Sequence, residues 1–248
     1  TTGNGNTALG TNVLYSNTTG YYNTGVGLNA LYNTTNGFQN AAFGYQALVN
    51  NVSGDNNTAL GTNAMYTSKS GNYNTAVGYA ALYTADNTYY NVAVGYQSLY
   101  YNTTGDANVA LGFQSLYSNT TGVNNTAVGH TTMYNSIGSA YNVVMGVSAA
   151  YNITYGQSNV ALGYSALYTN ITGNNAIAIG HEALYTANAT FYNVAIGFRA
   201  MRQTTTGDRN TAVGYSALYS NTTGQRNTAI GESALYNNTI GQYNIAIG

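Results

Sequence analysis

The sequence predicts an all-β fold, a parallel β-solenoid (β-roll) built from a 17-residue coil that is repeated along the whole chain. Three observations predict it: a repeat that never changes length, apolar residues fixed at the same places of every repeat, and residue types that favour strands and turns. No linker or shift in composition divides the 248 residues, so we expect one continuous repeat domain over residues 1–248.

The repeat is marked by a glycine that returns at every seventeenth position without an insertion or deletion. Ordinary surface loops tolerate insertions at little cost. A constant period therefore indicates that every residue is held in register with the coils on either side, as in a stacked solenoid. The glycines are Gly10, Gly27, Gly44, Gly61, Gly78, Gly95, Gly112, Gly129, Gly146, Gly163, Gly180, Gly197, Gly214, Gly231 and Gly248.

Each coil has fixed residue types when its positions are numbered from its opening residue, so that coil 1 begins at Asn6 and its repeat glycine is position 5. Position 1 is Asn except at Ala176, and position 3 is usually Ala. Position 4 is large and apolar, position 8 is small, position 9 is usually Leu or Met, and position 10 is usually Tyr. We expect positions 4 and 9 to be buried, and the glycine to be required for a bend or close packing.

The segment from position 1 to position 10 predicts strands, because it is short for a helix and has a central Gly, which costs a helix roughly 1 kcal/mol relative to Ala. We predict two strands in each coil, at positions 1–4 and 7–10, joined by a bend at the glycine. Positions 11–17 predict a return turn with left-handed Asn and Gly and with side-chain caps. Stacked coils then form an Asn ladder at position 1 and a Tyr ladder at position 10.

The composition excludes several classes of protein. Only 4% of residues are charged, against about 25% in typical proteins. Five Lys and Arg are too few for the basic stripe of a nucleic-acid binder. No apolar stretch is long enough to span a membrane, and the absence of Cys excludes disulfides and thiolate metal sites. Because both ends fall within a repeat, we expect this to be a segment of a longer chain.

No group of residues predicts catalysis, a cofactor or a metal site. His130 and His181 share position 6 but lie three coils apart, about 14 Å, too far to bind one metal ion. Glu182 follows His181 and is expected on the opposite face of a strand. A glycosidase needs two carboxylates within about 5–10 Å. The acidic residues of position 16 are instead predicted to be solvated turn residues: Asp55, Asp106 and Asp208.

Asn-x-Ser/Thr sequences make glycosylation a candidate modification, although Asn-Thr-Thr-Gly is also a good turn sequence. Most of them lie in the predicted return turn. The candidate acceptors are Asn17, Asn33, Asn51, Asn102, Asn119, Asn170, Asn188 and Asn221.

Three strings carry a family resemblance: "NNAIAIGHEAL" from Asn174, "YNVAIGFRAM" from Tyr192 and "RNTAIGESAL" from Arg226. They resemble the head repeats of trimeric autotransporter adhesins, which read roughly S-V-A-I-G-x-x-A-x-A, and similar repeats occur in phage tail-fibre-like proteins. The resemblance implies a left-handed parallel β-roll with three chains around one axis. Two features differ, since the family's usual repeat is shorter and its position 10 is usually small.

The pattern favours a structural and adhesive extracellular fibre that self-associates as a homo-oligomer, expected to be a trimer, or as a filament. Strands that are apolar on both faces are usually covered on both, and a neighbouring chain is the natural cover. The expected partner is a host-surface or carbohydrate receptor. We do not expect this segment to bind nucleic acid or a membrane. The alternatives are a phage or virion tail fibre for host attachment and an ice-binding solenoid, although no position is uniformly Thr.

Overall fold

The computed structural model describes residues 2–248 and confirms the all-β parallel solenoid with its 17-residue coil. Each coil has one short strand, and neighbouring strands within a compact unit pair in parallel, as in Thr58↔Thr75 and Leu60↔Val77. Two compact units are present: the first ends at Asn124, and the second is Asn125–Gly248. The described residues contain no helix long and apolar enough to cross a membrane.

The first unit contains strands β1 to β7, and the second contains β8 to β15. In the first unit they are β1 Thr7–Leu9, β2 Thr24–Val26, β3 Ala41–Phe43, β4 Thr58–Leu60, β5 Thr75–Val77, β6 Val92–Val94 and β7 Val109–Leu111. In the second they are β8 Thr126–Val128, β9 Val143–Met145, β10 Val160–Leu162, β11 Ile177–Ile179, β12 Val194–Ile196, β13 Thr211–Val213, β14 Thr228–Ile230 and β15 Ile245–Ile247.

The strand turns its small residue inward and its large residues outward. Ala59 at position 3 of β4 is fully buried, whereas Leu60 at position 4 is 48% exposed. Successive side chains of a strand point to opposite faces, and the narrow interior holds Ala at position 3 in every coil except those with Gly25 and Val144. The prediction that position 4 is buried is therefore wrong for the single chain, while position 9 is buried as predicted.

The predicted second strand at positions 7–10 is wrong, because this segment is a turn with two left-handed residues. In coil 3 these are Gln46 at position 7 (φ 55°) and Leu48 at position 9 (φ 50°), and the same two positions are left-handed from coil 1 to coil 14. A left-handed conformation costs an L-residue about 1–2 kcal/mol. Complete burial of Leu48 contributes about 1.5–3 kcal/mol and offsets that cost.

The return turn contains the predicted side-chain cap but not the predicted left-handed glycine. Asn51 at position 12 donates from Nδ2 to the carbonyl of Gly54 at 3.0 Å, and its Oδ1 accepts the Gly54 N–H at 3.0 Å. The left-handed residue of this turn lies two positions after the glycine, at position 17, as in Asn56 (φ 56°).

The predicted Asn ladder at position 1 is confirmed and is buried. The Oδ1 atom of Asn40 accepts both the backbone N–H and the side-chain Nδ2–H of Asn57, at 3.0 and 3.1 Å. Nδ2 of Asn57 also donates to the carbonyl of Gly71 at 2.6 Å. Each amide thus satisfies polar groups of two coils that would be costly to bury unpaired.

Candidate functional site

A repeated feature of the outer surface is the face formed by positions 2 and 4 of each coil, which we call the strand face. Position 4 is large and apolar, and position 2 is Thr, Val, Ile or Ala. No coil has a charged residue at either position. Its position 4 side chains include Phe43, Leu60, Val94, Met145 and Ile230, which are 36–48% exposed. Contiguous exposed apolar surface commonly marks an interaction site.

Position 6 follows the strand face in sequence, after the repeat glycine, and carries stacked rings, which we call the outer ladder. In the first unit Tyr79 stacks on Tyr96 and Tyr96 on Phe113, with centroids 5.2 and 5.3 Å apart. In the second unit His181 stacks between Tyr164 and Phe198, at 5.0 and 5.1 Å. The structure therefore places His181 in an aromatic stack, as expected for a substitution at a position that is Tyr or Phe in many other coils.

The Tyr ladder at position 10 is confirmed in both units. Tyr83 lies between Tyr66 and Tyr100, with ring centroids 5.0 and 4.9 Å apart and nearly parallel planes. Burial, and then the neighbouring phenols of Tyr83, Tyr101, Tyr79 and Tyr96, raise the pKa of Tyr100.

A charged cluster lies in the second unit and was missed by the sequence analysis. Nε of Arg199 and Nε of Arg202 both donate to Oε2 of Glu182, at 2.8 and 2.7 Å. The hydrogen bond from Arg202, assisted by Arg199 and opposed by partial burial, holds the pKa of Glu182 below its usual value. The signal was present, because Glu182 and Arg199 are one 17-residue period apart and therefore lie on adjacent coils.

The three acidic residues of position 16 lie in the return turn as predicted, but they are half-buried rather than fully solvated, because each caps the preceding coil. Oδ1 of Asp55 accepts the backbone N–H of Phe38 at 2.9 Å. Asp106 and Asp208 do the same for Tyr89 and Phe191, at 2.7 and 2.8 Å. Burial raises the pKa of Asp55, and the Phe38 N–H partly opposes that rise.

The structure places most of the candidate glycosylation residues in the core. Their Nδ2 atoms have no room for a sugar in the folded coil, and several donate a hydrogen bond to a glycine carbonyl, as Asn51 does to Gly54. The fully buried residues are Asn51, Asn102, Asn119, Asn170 and Asn221. Asn17 and Asn33 are half-buried, and Asn188 is exposed.

Among the described residues, 2–248, no three His, Cys, Asp or Glu side chains lie close enough to hold a metal ion. His130 lies beside Thr131, with Nδ1 3.3 Å from Oγ1. The side chains that the structure does bring together repeatedly are those of the strand face and of the two aromatic ladders.

A scan against protein-family models and a search of curated proteins find no match to this chain. Function is therefore inferred from the surfaces described above.

Proposed function

We propose that this chain is a structural and adhesive segment of an extracellular fibre, in which copies associate through the strand face. The arrangement proposed is three copies around one axis. The observation that carries the proposal is the uncharged strand face, which presents a large apolar side chain outward at position 4 of each coil.

A second copy of the chain suits this face because it offers the same apolar strip with the same repeat between coils. Covering apolar surface contributes about 25 cal/mol per Å², and side chains without charge add no desolvation cost of ions. Homo-oligomers with closed symmetry are the commonest assemblies of soluble proteins. In this assembly Leu60 and Val94, which are exposed in the single chain, become buried against a second copy.

Adhesion is proposed to come from the return turns and exposed tyrosines, which the assembly presents many times. Tyr73 and Tyr90 are 52% and 61% exposed and stack on each other at 5.2 Å. Weak contacts repeated along an assembly gain avidity without any new contact. Attachment of a virion to its host would use the same features, so a tail fibre remains the alternative within this proposal.

The test of assembly compares two double variants by light scattering coupled to size-exclusion chromatography. Leu162→Glu/Ile179→Glu places charge on the strand face, and Tyr155→Glu/Ile171→Glu places the same charge on exposed turn positions. We expect the unmodified chain and the turn variant to be multimeric and the strand-face variant to be monomeric. A monomeric unmodified chain, or equal dissociation of both variants, would contradict the proposal.

Adhesion is tested separately with the same proteins on immobilised glycans or host-cell surfaces. Retention of the assembled chain should exceed that of the strand-face variant by about 10²-fold or more, because avidity depends on assembly. Equal retention of the two would show that the assembly does not carry adhesion.

A further inference from the structure

The Tyr ladder of the first unit is interrupted at one coil. Tyr15 stacks on Tyr32 with centroids 5.0 Å apart, and Tyr66 stacks on Tyr83 at 5.0 Å. The intervening coil has Val49 at position 10, a side chain without a ring. Val49 is 7% exposed, so it forms an apolar floor between the two stacked pairs.

The interruption has the thickness of one ring. Adjacent coils are about 4.7–4.9 Å apart, so the facing rings of Tyr32 and Tyr66 are separated by two steps, about 10 Å. A planar ring placed midway would lie about 5 Å from each phenol, within the range that aromatic pairs prefer. It would thus repeat the 5.0 Å spacing found on both sides of the gap.

The second unit shows that a flat group other than a phenol fits such a gap. There Arg202 replaces Tyr at position 10, and its guanidinium carbon lies 5.1 Å from the ring centroid of Tyr185. Nε of Arg202 also donates to Oε2 of Glu182 in the preceding coil at 2.7 Å. The guanidinium of Arg202 therefore stacks on the tyrosine of the preceding coil, whereas Val49 leaves position 10 of its coil without a planar group of the chain's own.

The groups beside the gap are neutral. Nδ2 of Asn33 donates to Oδ1 of Asn50 at 3.0 Å, and Nδ2 of Asn50 donates to the carbonyl of Tyr66 at 2.9 Å. These two amides of position 11 lie next to the gap in sequence and carry no charge. An uncharged ring with one polar substituent matches apolar walls, an apolar floor and an amide edge.

We propose that Tyr32, Val49 and Tyr66 form a binding slot for a small planar aromatic ligand of the phenol class. The ring stacks between the two tyrosines and its hydroxyl lies toward solvent and the amides of position 11. This site is independent of the strand face and of the assembly proposed above.

The binding test uses p-cresol, which has the shape of the missing tyrosine side chain, and ligand-observed saturation-transfer NMR. Val49→Tyr fills the slot with the chain's own ring and should weaken p-cresol binding at least tenfold. Val52→Tyr adds a ring at an exposed position outside the ladder and should leave binding unchanged. Tyr66→Leu removes one wall and should also weaken binding at least tenfold, which keeps the test decisive should Val49→Tyr fail to fold.

Planarity is tested with 4-methylcyclohexanol, which has the same substituents on a saturated ring and should bind at least tenfold more weakly than p-cresol. Two results would overturn the proposal: p-cresol binding equally to the unmodified chain, Val49→Tyr and Tyr66→Leu, or the saturated analogue binding as well as p-cresol.

Discussion

The Oδ1 atom of Asn51 occupies the space that a Cβ on Gly54 would need. Asn at position 12 and Gly at position 15 are therefore coupled. Where position 15 carries a side chain, position 12 is small: Ala85 precedes Thr88, and Ala187 precedes Thr190. The two combinations are alternative ways of filling the same part of the core.

This coupling predicts that Gly54→Thr alone destabilises the protein and that Asn51→Ala/Gly54→Thr recovers part of the loss. The single variant forces the threonine against Asn51 Oδ1 and the carbonyl of Gly71, whereas the double variant copies Ala85 and Thr88. A double-mutant cycle from denaturant unfolding should give a favourable coupling of about 0.5–3 kcal/mol. Additive losses would contradict this account.

The second prediction concerns the repeat glycine. Gly163 has φ of 135°, and a Cβ there would lie 2.6 Å from the carbonyl oxygen of Gly180 in the next coil. Gly163→Val should therefore lower the free energy of unfolding by more than the roughly 1–3 kcal/mol of backbone strain alone. Ala161→Val/Leu167→Ala is the control, because it copies Val144 and Ala150, which are both fully buried at the same two positions of the preceding coil. A variant at Gly163 with the parent's stability would refute the requirement for glycine.

The constant period was enough to predict the stacking and its register, because each residue meets its equivalent one coil away. It was not enough to choose the inward face. Positions 3 and 4 are both apolar, and only the width of the coil decides between them. A Cβ built on Gly25 at position 3 would lie 3.5 Å from Cδ1 of Leu31 at position 9. Where position 9 is Leu, the interior has room only for Ala or Gly at position 3, and the one Val at position 3, Val144, is found in the coil whose position 9 is Ala150.

The left-handed turn at positions 7 and 9 could not be predicted from residue types. Leu and Gln rarely adopt φ near 50°, and preferences for that region belong to Gly, Asn and Asp. In this fold the burial of residues such as Leu82 outweighs the local preference. The pairing of Glu182 with Arg199, by contrast, follows from the period, because residues one period apart lie on adjacent coils.

The third prediction uses the one interruption of the Asn ladder. Ala176 at position 1 is fully buried and donates its backbone N–H to Oδ1 of Asn159 at 2.9 Å, but it supplies no side-chain amide. Ala176→Asn should stabilise the protein by about 0.5–1.5 kcal/mol through new hydrogen bonds. Coil 5 is the precedent, since Asn74 donates to the Thr88 carbonyl at 2.7 Å beside the same type of position 15 residue.

Asn57→Ala is the opposite change, and it should lower the free energy of unfolding by more than Ala176→Asn raises it. It removes the hydrogen bonds that Asn57 makes to Oδ1 of Asn40 and to the carbonyl of Gly71, and both of these groups are buried. Thermal unfolding of both variants measures the effect. A lower melting temperature for Ala176→Asn would show that coil 11 has no space for the amide.

The last prediction is a pH dependence of opposite sign at two acidic residues. Arg202 and Arg199 lower the pKa of Glu182, so its stabilising contribution is present above the unfolded pKa of about 4.3 and is lost as pH falls through the folded pKa. The stability difference between the parent and Glu182→Gln should therefore shrink on acidification below about pH 4.

Asp55 should show the opposite dependence. Burial raises the pKa of Asp55, so its ionisation disfavours folding, and the contribution of Asp55 to the free energy of unfolding falls as pH rises through its titration range. Asp55→Asn, whose amide oxygen still accepts the Phe38 N–H, should consequently gain on the parent as pH rises. Unfolding free energies from pH 3 to pH 7 check both, and parallel profiles for the two variants would contradict the assigned causes.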